Sequence, residues 1–216
     1  MTRRSLIRLA LAVLAVSVAV TATPAAERRG GRGNRDAWQQ PDRVVADLGL
    51  KDGSTIADIG CGSGYFVFRL AKAVGPTGKV YAEDIAEKAL KALKARIDRE
   101  GARNVEIVQG DPTSTHLPDA AMDAALIANV LHHVPKEHRP GLVADVVRSV
   151  KPGGFVYLVD WRMDAKIKHD LKNRIPRDEL IETMTGAGLT LDAEFLYLEH
   201  QVFFRFRKPG KAAGTE

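Results

Sequence analysis

Three glycines at alternate positions, Gly60, Gly62 and Gly64, separate an apolar run around Asp58 from an apolar run with helical spacing. Glycine reaches backbone conformations that a Cβ forbids and lets the chain pass close to a ligand. A helix opening after such a loop turns its free N–H groups and the positive end of its dipole back onto it, which suits an anion. Asp84 stands 24 residues beyond Gly60 at the end of another apolar run. A carboxylate there can accept two hydrogen bonds from a ribose diol, or it can cap the next helix. Glu83 is the adjacent candidate, but strand alternation aims it the other way. Further on, His132 and His133 offer neutral imidazoles able to take a proton. Adjacent side chains point in different directions, so at most one faces a substrate. His132 is the candidate catalytic residue, against a packing role at a helix start. Cys61 is the only cysteine, which leaves no intramolecular disulfide and no cysteine-based metal site. Its place among the glycines suits a small packing residue better than a nucleophile. The six histidines lack ligand spacing, so no metal is expected.

The elements that must position these groups follow from periodicity. A buried strand over 56–59 feeds the glycine loop, and a helix over 65–74 follows, with Phe66, Leu70 and Val74 on one face. Upstream, Pro41 opens a short helix whose apolar face is Val44, Val45 and Leu48, closed by Gly49. Trp38 before it reads as core filler or as a lid. Strands are expected over 79–85, 105–109, 122–129 and 155–159, with helices marked by Leu90, Leu93 and Ile97 and then by Leu142, Val143, Val146, Val147 and Val150. A helix over 177–187 stops at Gly188, and two strands over 190–198 and 201–207 form an antiparallel pair. Strands alternating with helices imply an α/β fold: a doubly wound, mostly parallel seven-stranded sheet with helices on both faces and a C-terminal antiparallel hairpin.

The spacing of the glycine loop sets it apart from the dinucleotide fingerprint G-x-G-x-x-G. The third glycine comes one residue early, and Tyr65 stands where that motif has Gly, which disfavours a nicotinamide oxidoreductase. The pattern h-D-h-G-x-G-x-G around Asp58 instead resembles the first motif of class I S-adenosylmethionine (SAM) dependent methyltransferases. Later segments resemble that family in order: the acid Asp84 after the second strand, Asp111 after the third, Asn129-Val130-Leu131-His132-His133-Val134 after the fourth, and the turn Val150-Lys151-Pro152-Gly153-Gly154. Met122 replaces the family's aromatic at the start of the fourth strand, a change of packing more than chemistry. The resemblance covers about 38–207. It implies a SAM cofactor held by Asp58, Gly60, Cys61, Gly62, Gly64, Asp84, Ile85, Asp111 and Asn129, with the loop around the methionine end, Asp84 on the ribose and Asp111 at the adenine. It implies methyl transfer to an acceptor, most simply a small molecule. Tyr65, Trp161, Arg162, Arg174 and Asp160 are polar or aromatic groups near the same sheet edge. The alternative is an exported, non-catalytic binding protein that keeps the fold.

At 216 residues the chain is long enough for one domain with a substantial core. Residues 1–26 read as a signal peptide: Arg3, Arg4 and Arg8, an apolar stretch, then small residues, with cleavage expected between Ala22 and Ala26. The paired arginines also resemble a twin-arginine export signal. This places the protein outside the cytoplasm, periplasmic or secreted, or anchored to the membrane if the signal stays on. Without these residues there is no stable membrane span. The formal charge falls from +5 to +2 with them removed, so the basic balance does not argue for nucleic acid. Residues 27–37 read as a flexible basic linker, 38–207 as the catalytic domain and 208–216 as a disordered tail. The acceptor and the oligomeric state are not legible.

Overall fold

A computed structural model of the protein describes residues 32–166 and 172–210. The expected signal peptide, and the tail beyond residue 210, lie outside the described residues. Two short helices, α1 (Arg32–Gln39) and α2 (Pro41–Asp47), precede the first strand, β1 (Thr55–Ile59). The chain then runs α3 (Val67–Ala73), β2 (Lys79–Asp84), α4 (Glu87–Glu100), β3 (Val105–Gln109) and β4 (Met122–Ala128). A single 3₁₀ turn at Leu131–His133 leads to α5 (Arg139–Ser149), β5 (Val150–Trp161), α6 (Arg177–Gly186), β6 (Thr190–Glu194) and β7 (Gln201–Arg207).

The seven strands form one sheet in the order β3-β2-β1-β4-β5-β7-β6. β1 to β5 pair in parallel, and β7 inserts antiparallel between β5 and β6. The doubly wound sheet and its antiparallel end are those expected. Alternation along each central strand feeds two separate cores. Leu126, Tyr157 and Val159 face α2, α3 and α4, where Val44, Leu48, Leu70, Val74, Leu90 and Leu93 are buried. Ala125, Ile127, Val156 and Leu158 face α5 and α6, against Leu142, Val143, Val146, Leu180 and Met184. The parallel strands therefore end together at one carboxyl edge, formed by Ile59, Asp84, Gln109, Ala128 and Trp161.

Several boundaries differ from the sequence reading for local reasons. The helix expected from 65 begins at Val67, because Gly60, Gly62 and Gly64 all have positive φ, and the turn they make runs on through Phe66. The helix is only seven residues long. Residues 151–154, expected as a turn, leave the ladder as a bulge. Met122 pairs with Val150 and Ala124 with Phe155, and Gly153 N–H reaches back to Lys208 O at 2.9 Å. Two further differences come from tertiary contacts. α1 begins within the stretch expected to be a linker, and Lys208, expected in the tail, is anchored. Its Nζ donates to Val147 O and Val150 O, both at 2.7 Å, at the C-terminus of α5.

Candidate functional site

The glycine turn is shaped by both acids at the end of β2. Asp84 Oδ2 accepts from Gly62 N–H at 2.7 Å and its Oδ1 from Ala86 N–H at 2.8 Å, so one carboxylate holds the loop and opens α4. Each oxygen keeps a second lone pair for a ligand hydroxyl. Glu83, set aside on alternation, is in the site as well. Its Oε2 accepts from Gly60 N–H at 3.3 Å, and its backbone carbonyl accepts from Cys61 N–H at 2.8 Å. Alternation does send the two side chains to opposite faces, but the turn crosses over the strand end and meets both. The glycines are needed sterically. A Cβ on Gly60 would stand 2.6 Å from Val130 Cγ2, and one on Gly64 2.6 Å from Leu93 Cδ1, while one on Gly62 would face open space.

Asp58 lies behind this turn, 2 % exposed, and its Oδ2 has no hydrogen-bond partner. Burial pushes its carboxyl up to about 8, against the opposing pull of Arg35 and with help from Asp84 and Glu83. Burial pushes Glu83 up to about 8 too, and its Oε1 is likewise unpartnered. Two buried carboxyls beside one loop thus each keep an oxygen without a protein hydrogen-bond partner. Cys61 is buried, and burial together with the neighbouring acids pushes its thiol up, which agrees with packing and not with nucleophilic attack.

In front of the turn is a cavity of about 410 Å³, a size typical of small-molecule sites. Of the residues expected to hold a cofactor, Gly60, Asp84, Ile85, Asp111 and Asn129 line it; Asp58, Cys61, Gly62 and Gly64 build the turn beside it. Ile85 is 55 % exposed, a large apolar side chain at the cavity wall. Asp111 lines the cavity while its Oδ2 pairs with His116 Nε2 at 3.0 Å. Asn129 takes a left-handed φ of 61°, a conformation Asn tolerates better than most residues. Its side chain turns away into a closed ring of three amides. Asn129 Nδ2 donates to Gln39 Oε1 at 3.1 Å, Gln39 Nε2 to Gln201 Oε1 at 2.7 Å, and Gln201 Nε2 to Asn129 Oδ1. Sequence reading missed Val130 and Val134, set His133 aside in favour of His132, and missed His138 as a lining residue. The first three lie in the segment quoted for its resemblance; His138 had no signal.

His132, the catalytic candidate, is buried, and its Nδ1 lies 2.7 Å from Asp160 Oδ1. Asp160 Oδ2 also accepts from His132 N–H at 3.3 Å, and its Oδ1 from Trp161 N–H at 2.7 Å. A carboxylate at Nδ1 makes that nitrogen the donor, which places the basic lone pair of the neutral ring on Nε2. His133, its ring centroid 4.0 Å away, is the one of the two that lines the cavity.

The N-terminal helix closes the site. Tyr65 Oη donates to Asp36 Oδ1 at 2.6 Å, Arg35 stacks on the Tyr65 ring at 3.6 Å, and Trp38 packs on Trp161 with ring centroids 5.1 Å apart. α1 thus crosses the carboxyl edge from the glycine turn to the end of β5. Arg162 pairs with Asp164, and Arg174 Nη1 donates to Met163 O at 3.2 Å and Ala165 O at 2.8 Å, so both brace the segment after β5.

Comparison with known proteins agrees with this layout. Residues 56–154 match the family model described as a methyltransferase domain. Two curated relatives are demethylmenaquinone methyltransferases, one from Lactococcus lactis subsp. lactis (strain IL1403), 30% identical over 125 residues, and one from Staphylococcus aureus (strain JH9), 35% identical over 125 residues. These matches cover 58% and 57% of this chain, and the chain spans about half the length of each relative, 48%. Among solved structures, a SAM-dependent methyltransferase from Aquifex aeolicus superposes with a TM-score of 0.75 at 24% identity, over 81% of this chain and 92% of that one. The chain therefore has the fold of the class I SAM-dependent methyltransferases, and its residues 56–154 match a methyltransferase domain.

Proposed function

We propose that the protein binds SAM in the 410 Å³ cavity and transfers its methyl group to a small-molecule acceptor. The observation that carries this reading is the pair of buried, unmet carboxylate oxygens, Asp58 Oδ2 and Glu83 Oε1, behind a turn whose glycines admit a ligand. The residues fit the group: the two carboxyls suit its ammonium end, the second lone pairs of Asp84 suit the ribose diol, and Ile85, Val130 and Val134 offer apolar walls to a purine. When bound, SAM supplies a methyl group already activated by a sulfonium, so the protein's work is alignment and exclusion of water. The name of the curated relatives supports a small-molecule acceptor.

An acceptor that carries a proton at the working pH needs a base; of the two histidines His133 lines the cavity, and His132 stands behind it, ring centroids 4.0 Å apart, held by Asp160. Asp160 fixes the ring and its tautomer, and would stabilise the imidazolium once His132 holds the proton. Replacing Asp160 with Asn removes that stabilisation.

We place the protein outside the cytoplasm, exported already folded around its cofactor by the twin-arginine route, because SAM is made inside the cell. The mass of the chain recovered from the cell envelope tests this: an N-terminus between 23 and 27 is expected, and an intact Met1 terminus would leave it anchored or cytoplasmic.

The decisive experiment for the cofactor is calorimetric titration of the full chain with SAM and with S-adenosylhomocysteine. Binding of both, lost in Asp84→Ala, is expected. No binding by well-folded protein would favour a binding module for some other exported ligand.

A further inference from the structure

The sequence reading gave the anionic end of the ligand to the N-terminus of the helix after the glycine loop. That helix starts at Val67, beyond the turn, and is one seven-residue segment. A different group stands at the loop. Arg35, on α1, stands 30 residues before Tyr65 in sequence, and its guanidinium carbon is 3.6 Å from the centroid of the Tyr65 ring. Its Nε donates to Gln39 Oε1 at 3.1 Å, and Gln39 is locked in the buried amide ring with Asn129 and Gln201. The plane of the guanidinium is therefore fixed on two sides, by the Tyr65 face and by Gln39.

Its two terminal nitrogens take part in no ion pair among the described residues. The nearest acid on its own helix, Asp36, is committed to the Tyr65 hydroxyl and to Arg69. Asp58 feels the positive charge of Arg35 but forms no ion pair with it. A fixed, partly buried fork of N–H donors and a buried carboxyl thus sit at the same loop with no ion pair between them. Tyr65 is the residue that departs from the dinucleotide fingerprint, and here it is the platform on which the cation rests.

We infer that Arg35 is the carboxylate receptor of this site, so that Arg35 and Asp58 together hold the α-amino-acid end of the cofactor, Arg35 by its carboxylate and Asp58 by its ammonium. The inference rests on the SAM reading above and adds to it a residue outside the matched domain, which begins at residue 56. An arginine fork matches a carboxylate with two parallel N–H···O bonds, a geometry a lysine lacks. The site is then complete only with α1 in place, and it discriminates by the amino-acid moiety.

Three probes separate the parts: S-adenosylhomocysteine, its decarboxylated analogue, and 5′-methylthioadenosine, which lacks the amino acid altogether. Calorimetric titration of the full chain should give at least tenfold weaker binding of S-adenosylhomocysteine in Arg35→Met, with the other two within about twofold of wild type. Arg35→Lys should recover part of the loss. Asp58→Asn should weaken both amine-bearing probes and spare 5′-methylthioadenosine. Equal weakening of all three probes in Arg35→Met would mean that Arg35 only supports the fold, and unchanged binding of S-adenosylhomocysteine would mean that it touches no carboxylate; either overturns the inference while leaving the cofactor reading intact. A wild-type chain that binds none of the three would overturn both.

Discussion

A carboxyl buried beside two other acids, with one oxygen bonded to nothing, destabilises the fold in the absence of a ligand, and Asp58 is that residue. Its ordinary value is 3.8 and its folded value about 8, and Glu83 moves from 4.5 to about 8. Between these values the unfolded chain holds fewer protons than the folded one. Stability is therefore full at low pH with respect to these two groups and is lost as pH rises through about 8. Asp58→Asn removes one such proton, so the slope of unfolding free energy against pH between pH 5 and 7 should become less steep by up to about 1.4 kcal/mol per pH unit. Urea midpoints across that range check it. The variant should be more stable than wild type at neutral pH and bind S-adenosylhomocysteine at least tenfold more weakly, the signature of a residue kept for a ligand. For the same reason SAM binding at pH 7 should release protons, seen as a dependence of the binding enthalpy on the ionisation enthalpy of the buffer. The placement of Asp58, the glycines and Asp84 at one strand-end turn was legible in the sequence because it depends on local spacing. Glu83 was misassigned because alternation describes a strand and not the turn that folds over its end. Arg35 was not legible at all, since nothing near it in sequence marks its partner.

At the scale of elements, the glycine turn and α1 carry separate predictions. Gly60 combines a φ of 63° with a Cβ position 2.6 Å from Val130 Cγ2. Gly60→Ala should cost about 1–3 kcal/mol, part backbone strain and part overlap. Val130→Ala in the same chain should return the overlap part but not the strain, which a double-mutant cycle in urea would separate. Gln39 is fully buried and ties α1 to Asn129, just past β4, and to Gln201 of β7. Gln39→Ala leaves the amides of Asn129 and Gln201 without their partners and should destabilise by about 2–3 kcal/mol. It should also weaken S-adenosylhomocysteine binding, because Arg35 loses the group that orients it. The short helix α2 was legible from Pro41 and Gly49, which mark its ends by backbone geometry alone. α1 was not. Glycines and arginines read locally as a linker, and what orders its last turns is Tyr65, Arg69, Trp161 and Gln201, up to 162 residues away.

For the whole molecule, the C-terminal strand closes the sheet and also fixes α5. Lys208 Nζ reaches two carbonyls at the end of that helix, and partial burial lowers the pKa of its amine. Lys208→Met should cost about 1 kcal/mol, read as a lower urea midpoint, with no change in S-adenosylhomocysteine affinity because the contact lies far from the carboxyl edge. The sequence by itself determined the order of the elements, the parallel sheet with its antiparallel end, and the motif residues at the strand ends. The order and the sheet follow from periodicity and from glycine geometry, which act over a few residues, and the motif residues from their resemblance to those of the class I methyltransferases. Only the tertiary structure decided that α1 lies across the edge, that Arg35 rests on Tyr65 opposite Asp58, and that His132 is held by Asp160. Each of these depends on a hydrogen bond or a stacked pair between segments 28 or more residues apart, and such pairings are set by how the packed layers meet, not by spacing along the chain.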